Sequence, residues 1–88
     1  MKVTVGKEGL NKTFQDDFPE ITPCLRCGGE CRIAFVACEA DGGDPIPLIC
    51  SLHNNEYSQG NAWLHDCCAV AVYFCRKCLS PMALYNQG

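Results

Sequence analysis

Two short cysteine hooks, Cys24-Leu25-Arg26-Cys27 and Cys75-Arg76-Lys77-Cys78, bracket most of an 88-residue chain. Two residues between paired cysteines let a tight backbone turn aim both sulfurs at one point. Zinc takes four such ligands in a tetrahedron at about 2.3 Å from each sulfur, and two hooks supply all four. A pair of hooks separated by a long insertion is a strong signal for a shared metal, whereas a single hook is a weak one. The expected ligands are therefore Cys24, Cys27, Cys75 and Cys78. Gly28 follows the first hook directly. Glycine suits that place, because the last residue of such a turn often needs positive φ.

A chain of this length is one domain with little core to spare. A structural zinc adds an apparent ~10–16 kcal/mol in finger peptides, enough to decide whether a marginal chain folds. The expected fold class is thus a small, metal-stabilised, mainly β module.

The segments Pro23-Cys24-Leu25-Arg26-Cys27-Gly28-Gly29 and Phe74-Cys75-Arg76-Lys77-Cys78 resemble the knuckles of zinc-ribbon domains. In that family two cysteine knuckles at the ends of β-hairpins share one zinc. The resemblance implies an antiparallel, ribbon-like sheet with little helix, one zinc, and those four cysteines as its ligands. It covers the knuckles and the strands beside them, within 24–88, and leaves 1–23 as an N-terminal extension packing on the module. Two features depart from the family pattern. Leu79 stands where the second knuckle ordinarily carries glycine, and 47 residues separate Cys27 from Cys75.

The nine cysteines bear on the compartment. A secreted disulfide scaffold normally carries an even number and a signal peptide. Here the number is odd, and Met1-Lys2-Val3-Thr4-Val5-Gly6 leads into no apolar core of a leader. The longest apolar run, 67–75, is far short of the ~20 residues that cross a bilayer. Reduced thiols in a cytoplasmic setting, with no membrane role, are expected. Net charge is −3, and four thiolates with one Zn²⁺ add −4 + 2 = −2. An acidic domain of pI about 5.1 suits nucleic-acid phosphates poorly, so a protein partner is the stronger expectation. Arg26, Arg32, Arg76 and Lys77 read as solvated loop charges balancing the thiolates.

In chain order, 2–5 reads as a short edge strand ended by Gly6 and Gly9. In 11–20 a single helical turn would put Phe14 and Phe18 on one face. Residues 32–38 read as a strand, the Asp41-Gly42-Gly43-Asp44-Pro45 run as a turn, and 46–52 as the return strand of a hairpin. A third strand over 63–74 runs into the second hook, with Leu64, Cys68, Val70, Val72 and Phe74 as its core face. A short final strand fits 82–85.

A second constellation lies between the hooks. Cys50-Ser51-Leu52-His53 is followed, after eleven residues, by His65-Asp66-Cys67-Cys68, and both histidines of the chain fall within it. Cysteine and imidazole combine in mixed zinc sites, so Cys50, His53, His65 and Cys67 form a candidate second site. On a continuous strand His65 and Cys67 share a face, which favours Cys67 over Cys68. The ordinary reading makes these cysteines small buried hydrophobes and His53 a solvated loop residue. Cys31 extends the first hook to C-x2-C-x3-C, but no fourth ligand matches an iron–sulfur signature. Cys38 reads as core.

Three functions compete. A structural zinc module acting as a protein-interaction adaptor fits a site whose four positions are all filled. A thiol-redox protein would cycle one hook between dithiol and disulfide, with Arg26, Arg76 or Lys77 activating a thiolate, but such hooks usually open a helix in a βαβ unit. A rubredoxin-like iron electron carrier would use the same four sulfurs. No nucleophile–base pair, phosphate-cradling loop or catalytic carboxylate pair marks an enzyme.

Overall fold

A computed structural model describes residues 2–38 and 68–87. Within them the chain is a mainly β, antiparallel sheet with one 3₁₀ turn and no α-helix. The strands are β1 (Lys2–Val5), β2 (Ile21–Pro23), β3 (Glu30–Cys38), β4 (Cys68–Cys75) and β5 (Pro81–Gln87), and the 3₁₀ turn is Gly6–Gly9. β3 and β4 are central, with β5 beyond β4. β1 and β2 both lie on the other edge of β3, one after the other along it. The expected return strand over 46–52 and the part of the third strand before Cys68 fall outside the described residues.

β3 is rich in β-branched and aromatic residues, which fit a pleated, half-buried surface. Its register against β4 shifts between Ile33 and Phe35, so Ala34 forms a bulge. A bulge moves the following residues to the opposite face. Cys31 and Ile33 therefore share the core face with Val36 and Cys38, although the spacing is not a simple alternation.

The buried face of β4 carries Ala69, Ala71, Tyr73 and Cys75. For Val70, Val72 and Phe74 this reverses the face expected from side-chain size, whereas Cys68, of the same expected set, is buried. Parity along the strand is set by Cys75, whose sulfur must reach the hooks, and residues two apart then follow it inward. Val70, Val72 and Phe74 take the outer face, where Phe74 is 46% exposed. The alanines leave room for the N-terminal segment to cross. Phe18 is buried there, and the Tyr73 hydroxyl donates to the Pro19 carbonyl at 2.6 Å.

Residues 11–20 are not helical. Thr13 explains the local shape: its Oγ1 accepts from the Gln15 backbone N–H and donates to the Asp16 carbonyl, side-chain bonds that compete with a helical ladder. Phe14 and Phe18 consequently part, the first at the surface and the second in the core. Gly9 is pressed against β3, where an added Cβ would lie 2.9 Å from both the Thr4 carbonyl oxygen and Val36 Cγ2.

Candidate metal centre

Each hook sits at the tip of a hairpin. The first links β2 to β3, closing on the Pro23–Glu30 pair; the second links β4 to β5, closing on Phe74–Pro81. Because β3 leaves the first tip and β4 enters the second as its antiparallel neighbour, both tips fall at one end of the sheet. This brings Cys24, Cys27, Cys75 and Cys78 together from positions some fifty residues apart, with all four Sγ atoms within 4.8 Å of one another.

The two turns are near copies. In the first, the Cys24 N–H donates to the Gly29 carbonyl at 2.8 Å and the Gly28 N–H to the Cys24 carbonyl at 2.9 Å. In the second, the Cys75 N–H donates to the Ser80 carbonyl and the Leu79 N–H to the Cys75 carbonyl, both at 3.0 Å. The matching residues Gly28 and Leu79 have φ of 75° and 62°. Leu79 thus adopts the conformation that glycine adopts without strain, which explains how the second hook keeps its shape without one.

Backbone N–H groups point into the cluster. Those of Arg26 and Lys77 donate to Cys24 and Cys75 Sγ at 3.4 Å, as that of Gly29 does to Cys27 Sγ. Such donors favour the thiolate form. Between the hooks, Cys24 and Cys78 Sγ lie 3.7 Å apart, and Cys27 and Cys75 Sγ 3.5 Å apart. A tetrahedron with arms of about 2.3 Å has edges of about 3.8 Å, so these separations fit one shared ion. They are far too long for a disulfide, whose S–S bond is about 2.05 Å. The donor set, four soft sulfurs, matches zinc or iron and leaves no ligand position for water.

The electrostatics split the cluster, holding two thiols down and pushing one up. A Ser80 hydrogen bond holds the Cys78 thiol down to about 6. Cys75 is also lowered, chiefly by the Cys78 backbone N–H. Cys27 feels the Gly29 N–H in the opposite sense from its cysteine neighbours Cys75, Cys78 and Cys24, which push it up to about 12. Without a cation, four clustered thiols cannot all ionise together. Around the rim, Glu30 pairs with Arg32 at 2.7 Å and Arg76 at 3.3 Å, which lowers its carboxyl. Arg26 Nη1 donates to Ser80 Oγ, bridging the two tips.

Three contributors were not singled out by the hook spacing. Ser80 acts through Cys78 and Arg26. Gly29 fills the gap between tips, where a Cβ would lie 3.2 Å from both Cys27 and Cys75 Sγ. Cys31, fully buried, stands opposite Cys75 at the base of the cluster, and burial pushes its thiol up to about 11. Its signal was present in the sequence as the third cysteine of C-x2-C-x3-C. The candidate second site, Cys50, His53, His65 and Cys67, lies outside the described residues. No protein-family model, characterised protein or solved structure matches the chain.

Proposed function

We propose that this chain is a structural zinc module of the zinc-ribbon kind that serves as a protein-interaction adaptor in a reducing, cytoplasmic setting. The observation that carries the metal reading is the convergence of four sulfurs, at tetrahedral spacing, from two hairpin tips. A closed thiolate site supplies folding energy rather than a reactive position. The adaptor reading is supported by the outer sheet face. Val3, Ala37, Val70 and Tyr85 align across it in one row, and Val5, Phe35, Val72 and Ala83 in the next. Val3, Val5, Phe74 and Tyr85 are 46–77% exposed. Exposed apolar surface of this kind marks protein contacts, and the acidic balance disfavours nucleic acid.

Native mass spectrometry before and after acid stripping tests the metal. Loss of zinc mass supports the reading, and a second zinc would implicate Cys50, His53, His65 and Cys67. A red, iron-bearing protein would favour electron transfer. Hook thiols that titrate at once, before chelator is added, would favour a dithiol redox protein. For the adaptor role, Val5→Lys and Phe74→Lys should keep metal content while abolishing binding to an isolated protein partner. Partner binding unaffected by both would refute the assigned face.

A further inference from the structure

Cys31 is a fully buried thiol that the four-ligand site does not use. It stands directly opposite Cys75 on β3 and β4, and both are 0% exposed. The ladder fixes what kind of pair they form. The Arg76 N–H donates to the Glu30 carbonyl at 2.9 Å, a bond that flanks the pair rather than joining it. Cys31 and Cys75 are therefore a non-hydrogen-bonded antiparallel pair, whose Cα atoms sit about 4.5 Å apart with their side chains close. Disulfides span Cα separations of about 4.4–6.8 Å. The sheet thus holds Cys31 and Cys75 at a bridgeable separation without requiring the strands to move apart or slide.

We propose that Cys31 and Cys75 form an oxidant-sensitive cross-strand disulfide that is mutually exclusive with the metal. This rests on the metal reading, because Cys75 is one of the four ligands. The oxidant is a two-electron peroxide. It enters at the exposed Cys27, which as a zinc ligand is a thiolate; the thiolate takes one peroxide oxygen to become a sulfenic acid and releases hydroxide. The Cys75 thiolate, its sulfur 3.5 Å from that of Cys27, attacks and expels the hydroxyl as a second hydroxide. Cys31 gives its proton to one hydroxide, making water, and its thiolate attacks the Cys75 sulfur, returning Cys27 as thiolate. In sum, one thiol, one thiolate and hydrogen peroxide give one disulfide, water and hydroxide. The cluster is left with Cys24, Cys27 and Cys78, and the metal loses its fourth sulfur. The new bond ties β3 to β4 beside the vacated centre, so the sheet persists where simple metal removal would loosen it.

The test treats the full-length, zinc-loaded chain with hydrogen peroxide. Released zinc is read with a chromogenic chelator, disulfides by mass spectrometry of an unreduced, alkylated digest, and the sheet by far-ultraviolet circular dichroism. The expected result is zinc loss together with a Cys31–Cys75 cross-link and a retained sheet signal, all reversed by thiol reductant and added zinc. Cys31→Ala should bind zinc when reduced, form no such cross-link, and lose its sheet signal as oxidation releases the metal. Cross-links confined to Cys27–Cys75 or Cys24–Cys78 in the wild type would overturn the proposal whatever the variant does. Peroxide treatment that releases zinc and leaves Cys31 alkylatable would overturn it too. If the reduced chain proves to carry no metal, the metal reading fails by itself; the same digest of oxidised apoprotein still shows whether Cys31 and Cys75 pair.

Discussion

Leu79 is the residue at which the chain most visibly works against its own local preference. Its φ of 62° is forced by the turn that aims Cys75 and Cys78 at their partners. A side chain in that region costs roughly 1–2 kcal/mol, and glycine there gives back roughly 0.5–1 kcal/mol in chain entropy. Leu79 is 75% exposed, so little burial is lost on replacing it. Leu79→Gly is expected to stabilise the metal-loaded chain by about 0.5–1 kcal/mol, the difference between those terms. The mirror change, Gly28→Leu, should destabilise it by a similar amount or more. Denaturant midpoints at fixed zinc check both. A loss of stability in Leu79→Gly would mean that the exposed leucine has a contact worth more than its strain.

At the scale of elements, the hooks were legible in the sequence because a metal demands particular atoms at particular spacings. The strands 2–5, 32–38 and 82–85 were legible because alternation and β-branching report a pleated surface. On β4, residue size points Val70, Val72 and Phe74 the wrong way, because the parity is set by Cys75 of the candidate metal site; Cys68 is buried as expected. The Ala34 bulge has no local signal; it arises because both hooks and the β1 pairing must be satisfied along one strand. The non-helical path of 11–20 follows from Thr13 and from the need to bring Pro19 above Tyr73. That contact is testable. Tyr73 is fully buried, and Tyr73→Phe leaves the Pro19 carbonyl without its 2.6 Å donor, an expected cost of about 1 kcal/mol. Gly9→Ala presses a methyl onto the Thr4 carbonyl and Val36, for an expected cost of about 1–3 kcal/mol. Paired denaturation curves measure both, with zinc content unchanged in each.

For the whole molecule the question is what holds two hairpin tips together at one end of a thin sheet. Among the described residues, the buried core is small and includes Cys24, Cys31 and Cys75 themselves. The candidate metal site and the core are thus one structure. Without a bound ion the clustered thiols must protonate or repel, within the same core cluster as Phe18, Tyr73 and Val36. Cys75→Ser should therefore release zinc and lose the cooperative melt, whereas a variant with native melt and full zinc would contradict the account. Acid should act the same way. Zinc binds the deprotonated sulfurs, so binding releases protons and falling pH drives the metal off. Glu30 adds in the same direction. Arg32 and Arg76 hold its folded carboxyl below the ordinary range. Its contribution is present above the unfolded value and is lost as pH falls through the folded one. Zinc release and loss of sheet signal should coincide in an acid titration. In Glu30→Gln both should move to higher pH together, because the neutral amide cannot balance Arg32 and Arg76 at the rim. A midpoint for metal release well separated from that for unfolding would show that the sheet stands without the ion.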